Sequence, residues 1–268
     1  MSPSQASSSP PNPNPDAVVE SIERATLAAV CPQVVHTVPG WLLPMDDSTI
    51  GRAKSAVPLS HAPFTHTQAA QWVAAIENVY QHHRHRVAFR LPTHAAWAPL
   101  YARLAAQGFQ TSQPTCVQIG SVAALRAVTQ APPAEVDTAP DEAWAQLFLG
   151  EGFDAADGAS RIRNLTRATS NVYSSLRTGE GPQRRTLAGG AASFSHGWAS
   201  VHGMRTHAAE RGKGLAGQVL AGLADAAAAR GLAQVFLQVE ADNHGALALY
   251  RRAGFSTAWM YSYWKKPV

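Results

Sequence analysis

Glu210 to Gly217 reads ERGKGLAG, and its glycines, Gly212, Gly214 and Gly217, stand in the G-x-G-x-x-G spacing of a loop that holds a pyrophosphate. A helix N-terminus exposes unpaired N–H groups and the positive end of the helix dipole. Glycines let those groups curl around phosphate oxygens with no Cβ in the way. Arg211 and Lys213 add positive charge. The identity of the ligand decides between a dinucleotide-dependent oxidoreductase and a group-transfer enzyme. A dinucleotide fold places its first glycine almost directly after a strand and an acid about 20 residues further on. Glu240, closing VFLQVE, meets the second condition; HAAER, between the strand VHGMRT and Gly212, breaks the first. A G-x-x-x-x-G-K-[ST] phosphate loop does not fit either, because Gly214 follows Lys213 and His207 takes the place of the first glycine.

Other reactive side chains flank this loop, each with a plainer reading beside it. Tyr250 is a proton donor or a core residue beside Phe255. Asn243 touches a ligand or caps the next helix. His202, on the strand entering the loop, is a base titrating near neutrality or a structural histidine. The cluster HHRHR, with His82, His83 and His85, has no carboxylate or cysteine partner and reads as a solvated helix end, so no metal is expected. Cys31 and Cys116 share no motif and suggest neither zinc nor a disulfide. Trp259, Tyr261 and Tyr263 alternate on one strand face, which reads as packing.

The elements that must position these residues follow from periodicity. TQAAQWVAAIENVYQHH sets Trp72, Val73, Ile76, Val79 and Tyr80 at helical spacing. The strand RVAFRL, the helix AAWAPLYARLAAQGF ending at Gly108, and the strand PTCVQIG follow. Past the Pro-rich stretch TQAPPAEVDTAPDEAW come a helix capped by Asp141 and three strands, NVYSSLR, QRRTLAGGAASFS and GWASVHGMRT, joined by hairpin-type turns. After the glycine loop the pattern is a helix bearing Leu215, Val219, Leu220 and Leu223, the strand AQVFLQVE, the helix HGALALYRRAG and the strand STAWMYSYW. The halves rhyme: VAFRL with a helix ending YARLAAQGF parallels VFLQV with a helix ending LYRRAGF. The first copy enters its first helix through AVPLSHAPFTHTQ, which has no glycine and so cannot bring backbone close to a pyrophosphate.

RGKGLA, Arg211 to Ala216, matches the Q/R-x-x-G-x-G/A signature of the GNAT superfamily of N-acetyltransferases, and GMRT, VEADN and ALYRRAGF follow in the family's order. The chain resembles bacterial two-domain members of that superfamily, with a degenerate N-terminal half and GWLL, Gly40 to Leu43, near its start. The resemblance is strongest from Ala199 to Trp264. It implies an α/β fold in tandem, each half a mixed, mostly antiparallel sheet flanked by helices. Acetyl-CoA is the implied cosubstrate. Backbone of Met204 and Thr206 would pair with the pantetheine amides; N–H groups of Arg211, Gly212, Lys213, Gly214, Leu215 and Ala216 would take the pyrophosphate; Asn243 would touch the pantetheine arm. Tyr250 stands where the family keeps the acid for the departing thiolate, and His202 is a candidate base.

The expected organisation is a disordered tail over 1–16, a degenerate half over 17–130 and a catalytic domain over 131–268. With 22 Lys and Arg against 18 Asp and Glu, the net charge of +4 is spread along the chain, which suits a phosphorylated small ligand and not nucleic acid. The Ser/Pro/Asn-rich N-terminus lacks a signal-peptide pattern, and Leu215–Leu232 is interrupted by Gln218, Asp225 and Arg230, so no membrane segment and a cytoplasmic location are expected. The acceptor is a small-molecule or peptide amine that the sequence does not identify, and the oligomeric state is equally unread. A non-catalytic acyl-CoA sensor and the dinucleotide oxidoreductase are the alternatives.

Overall fold

The computed structural model describes residues 14–150, 154–179, 181 and 184–267. The tail expected over 1–16 lies, up to residue 13, outside the described residues. Asn14 already belongs to a helix, α1 (Pro15–Val30), whose Asp16 N–H donates to the Asn14 side chain while Pro15 occupies the first turn.

A three-stranded antiparallel sheet follows, β1 (Val34–Val38), β2 (Trp41–Met45) and β3 (Val57–Pro58). Then come α2 (His66–His82), β4 (Ala88–Pro92), α3 (Ala98–Ala106), β5 (Gln110–Ser121) and the short α4 (Val122–Arg126). The predicted stripe on α2 is the buried one, with Val73, Ile76 and Tyr80 almost fully enclosed. Each such side chain contributes about 1.5–3 kcal/mol by leaving water. The second half runs β6 (Glu135–Asp137), α5 (Glu142–Leu149), α6 (Ala155–Arg167), β7 (Asn171–Thr178), β8 (Arg185–Ser195), β9 (Trp198–Thr206), α7 (Leu215–Ala228), β10 (Gln234–Glu240), α8 (His244–Arg252) and β11 (Ser256–Lys265). Asp141 caps α5 as predicted, accepting from Trp144 N–H at 2.9 Å. His196 and Gly197, both with positive φ, form the primed turn between β8 and β9.

The two halves share one eight-stranded mixed sheet in the order β4-β11-β5-β10-β9-β8-β7-β6. Their last strands are exchanged: β5 lies between β10 and β11, and β11 lies between β4 and β5. The repeat holds in register too, since Val117 on β5 faces Gln238 on β10 as Tyr263 on β11 faces Arg90 on β4. One face of the sheet's second half is covered by α7 and α8, with Val219, Leu220, Leu223 and Tyr250 packed against Val201, Leu237 and Val239. The opposite face carries α1, whose Ile22 and Ala25 meet Val117, Phe236 and Trp198, and the α5–α6 pair around Trp144 and Phe148. No helix among the described residues is long and apolar enough to cross a membrane.

Candidate active site

Among the named strands, β9 and β10 form the one parallel pair, and they stay together only from Ala199–Val235 to Val201–Leu237. Beyond that point β9 continues to Thr206 and β10 to Glu240 with no pairing between them. The two strands open into a V. The backbone of His202–Thr206 keeps β8 on its other side but has no ladder partner across the gap. The β8–β9 register slips between Gly189 and Ala191, so Gly203 and Met204 both stand opposite Gly190. This is a bulge, and Gly203 supports it with φ +61°. A bulge re-aims the strand's N–H groups. Met204 thereby turns to the α7 face, while the Arg205 guanidinium lies over the Phe148 ring at 5.5 Å on the other.

The glycine loop sits at the open end of β9. A 3-10 turn, Ala208–Glu210, follows the strand, and α7 begins at Gly214 with φ +79° and no side-chain cap. A Cβ built on Gly212 or on Gly214 would meet nothing within 4 Å. The turn into α7 is thus open, and no side chain caps its first N–H groups, the condition a pyrophosphate requires. Arg211 and Lys213 are exposed here, and Lys213 Nζ pairs with Glu210 at 2.9 Å. The sheet around the loop is antiparallel except for the short β9–β10 contact, whereas a dinucleotide fold is built on parallel strands.

Tyr250 lies on α8, buried beside Phe255 with ring centroids 5.9 Å apart, on the same face as Val239. Burial pushes its hydroxyl up to about 12, so it carries its proton throughout the physiological range. Asn243 caps α8: its Oδ1 accepts from Ala246 N–H at 3.1 Å. His202 is different. It projects from the opposite face of the sheet, buried, with Nε2 2.9 Å from Ser200 Oγ and Nδ1 enclosed without a hydrogen-bond partner. Burial, and secondarily the charge of Arg52, holds its pKa down to about 3. A base titrating near neutrality is therefore not what His202 offers, because nothing around it compensates an imidazolium. Of its two readings, this environment favours a neutral structural imidazole.

The sequence reading passed over a polar group at the vertex of the V. Gln238 is the first β10 residue past the last pair with β9; its Nε2 donates to Thr26 Oγ1 on α1 at 2.8 Å. Its Oε1 accepts from Tyr261 Oη at 2.9 Å and from Arg52 Nη1 at 3.3 Å. The available signal was the repeat: aligning VAFRL with VFLQV puts Arg90 and Gln238 at one position, a polar residue inside an apolar strand in both copies. The bulge was also signalled, by a lone glycine in a strand pattern. Among the described residues no group of three or more His, Cys, Asp or Glu could hold a metal.

Residues 159–255 match the profile of the acetyltransferase (GNAT) family. No curated protein matches the sequence. Several solved structures share the fold over nearly the whole chain. A GCN5-related N-acetyltransferase from Kribbella flavida is 14% identical with a TM-score of 0.67, covering 94% of this chain and 96% of its own. A tandem GNAT protein from the clavulanic acid biosynthesis pathway is 16% identical with a TM-score of 0.56, covering 91% and 94%. A GCN5-related N-acetyltransferase from Sphaerobacter thermophilus is 16% identical with a TM-score of 0.55, covering 95% and 93%. The opened strands, the bulge and the uncapped glycine turn fall inside the matched segment, so residues 159–255 carry an acetyltransferase domain of the GNAT family, and the whole chain has the two-part fold of such neighbours.

Proposed function

We propose that this protein transfers an acetyl group from acetyl-CoA directly to a primary amine, with both substrates bound together and no covalent enzyme intermediate. The observation that carries the proposal is the V between β9 and β10 with the uncapped α7 N-terminus at its open end. An extended chain ending in a pyrophosphate fits that pair of features. Unpaired backbone of Met204 and Thr206 supplies a strand edge for the pantetheine amides. N–H groups from Arg211 to Ala216 supply the anion cradle. The Asn243 side chain, with Oδ1 engaged in its cap, has its Nδ2 hydrogens for the pantetheine arm.

In this reaction the amine nitrogen bonds to the thioester carbon, the carbon–sulfur bond breaks, and the amine proton passes to water. In this reading Tyr250, which keeps its proton, is assigned to assist the leaving sulfur. A thiol titrates near 8.5, so complete transfer from a hydroxyl at about 12 is uphill. Tyr250 acts instead by donating a hydrogen bond that strengthens as negative charge develops on sulfur, and water completes the protonation. No histidine base is required where the amine enters neutral.

The test is direct. Acetyl-CoA and CoA should raise the melting temperature of the full chain, by about 2.7 kcal/mol of stabilisation at 100 times Kd, and NAD, NADP and FAD should not. Thiol release from acetyl-CoA should then depend on an added amine. Stabilisation without amine-dependent thiol release would favour a sensor, and stabilisation by NADH in place of CoA would reopen Glu240 as a ribose ligand.

A further inference from the structure

We propose that Arg52, contributed by the first half of the chain, is the acceptor-side specificity residue of the second half's transfer site, selecting primary amines that also carry a carboxylate. The inference rests on the acetyl-transfer reading above and adds the class of acceptor.

Position comes first. Past the Val201–Leu237 pair, the next residues on either side of the V are His202 and Gln238, and both side chains project to the α1 face, away from α7, α8 and Tyr250. Arg52 stands above that vertex, with Nη1 3.3 Å from Gln238 Oε1 and its charge felt by His202. It belongs to a short 3-10 turn, Gly51–Ala53, whose entrance is clamped to α6: Ser160 Oγ accepts from Thr49 N–H at 2.9 Å and Asp157 accepts from Thr49 Oγ1 at 2.6 Å. A Cβ on Gly51 would lie 2.8 Å from the Tyr263 ring, so the turn is seated tightly on β11. Arg52 is thus a fixed cation at the face opposite the tyrosine.

Charge comes second. The described carboxylates near this vertex are engaged chiefly by other cations of the chain, Arg52 acting on Glu23 only after Arg90. Glu23 is buried in a two-pronged pair with Arg90, and Asp157 pairs with Arg161 at 2.6 Å. Arg52 makes no ion pair with any described residue and spends one N–H on a neutral amide, which leaves most of its five-donor fork for a ligand. Arg205 lies further along β9 on the same face. Among the described residues, the two carboxylates nearest the vertex, Glu23 and Asp157, are already held by arginines and do not hold an approaching amine as an ammonium. A polycation is repelled, and a nearby positive charge favours the neutral nucleophilic amine. A carboxylate a few bonds from the amine satisfies the guanidinium in the planar geometry that arginine prefers.

The experiment uses the full chain with acetyl-CoA, and pairs of acceptors that differ in charge alone: amino acids, their amides, and a linear polyamine. Acetyl-CoA stabilisation in a thermal melt is read first, independently of any acceptor. The carboxylate member of each pair should show kcat/KM higher than its amide on the order of 10–100-fold, the range for one charge-assisted hydrogen-bonded contact. Arg52→Gln should erase that gap and leave the acetyl-CoA melting shift in place, and Arg52→Glu should turn the preference toward the amide and the polyamine. Arg52→Lys, which keeps the charge without the fork, should fall between and serves as the readout if Arg52→Gln melts early. Equal or better use of amides or polyamines, a gap that persists in both Arg52→Gln and Arg52→Lys, or no acetylation of any carboxylate-bearing amine by a protein that binds acetyl-CoA would each overturn the inference. Absence of any acetyl-CoA binding would overturn the acetyl-transfer reading itself.

Discussion

The two halves of this chain begin the same helix in opposite ways. In the first, Thr65 accepts from Gln68 N–H and the Gln68 side chain accepts from Thr65 N–H, so α2 closes its own N-terminus with a capping box. In the second, α7 starts on a left-handed glycine with nothing capping it. The strand contact just before the helix is shared: Ala56 bridges Phe89 in parallel, as Val201 pairs with Leu237. Past that contact the first half fills its space with rings, Phe64 lying 4.9 Å from both Trp72 and Trp97. The second half opens into the V. A helix N-terminus must find partners somewhere, and supplying them from the chain leaves none for an anion. On this reading the first half binds no CoA.

The matching positions Arg90 and Gln238 carry the contrast into the core. Arg90 is fully enclosed, two-pronged on Glu23 and stacked over the Tyr261 ring at 5.0 Å. Gln238 is partly exposed, and its neutral amide holds Thr26, Tyr261 and Arg52. Glu23→Ala should therefore cause the largest loss of stability among these changes, about 3–5 kcal/mol, because it strands a buried guanidinium. Gln238→Ala should cost about 1–2 kcal/mol. Urea unfolding of the full chain measures both. Equal losses would mean that the two positions do the same job and the contrast fails in the core.

At the helix start, Gly214→Asp should weaken acetyl-CoA binding by more than about 100-fold, since it puts a negative side chain at the mouth of the anion cradle and a Cβ on a backbone at φ +79°. The direct stability loss is smaller, about 1–2 kcal/mol. Loss of the acetyl-CoA melting shift in a variant that still unfolds cooperatively is the expected result. A folded Gly214→Asp protein that binds acetyl-CoA normally would remove the distinction between the two helix starts. Tyr250→Phe comes next, lowering kcat by about 100-fold with acetyl-CoA affinity unchanged, as befits a contact made to developing charge. Unchanged kcat with a good acceptor would return Tyr250 to the core.

Much of this was legible in the sequence, for reasons that particular residues make plain. The rhyme of RVAFRL with QVFLQV, the Asp141 cap and the α2 stripe all rest on local periodicity or local hydrogen bonding, which a linear pattern records. The glycine turn and Tyr250 came from a motif in ordered context. The exchange of β5 and β11 was not legible: alternation along a strand tells which side chains face the core, not which strand lies alongside. Nor was α1, because its buried face includes Glu23 and Thr26, whose partners Arg90 and Gln238 are far away in sequence. His202 carried two readings because strand position places a side chain at a site without revealing its solvation. Arg52 escaped notice for a related reason, since only the docking of its turn on α6 and β11 brings it to the vertex.

The smallest effect tests the comparison from its closed side. Thr65→Ala removes the side-chain acceptor for Gln68 N–H, so α2 should lose about 1 kcal/mol, a drop of a few degrees at most in the melting temperature of a chain this size. Gln68 then has no reason to fold back, and its donation from Thr65 N–H at 2.8 Å is lost in part as well. The Phe64, Trp72 and Trp97 rings stay packed together at this end of the first half, and no glycine in this segment lets the backbone wrap an anion. Acetyl-CoA binding should therefore keep its affinity and a stoichiometry of about one per chain, set by the mass-action stabilisation of a single site. Titration calorimetry of the variant decides. A second equivalent of acetyl-CoA bound after this one substitution would mean that the cap alone closes the first half, and that the aromatic packing behind it is not part of the reason.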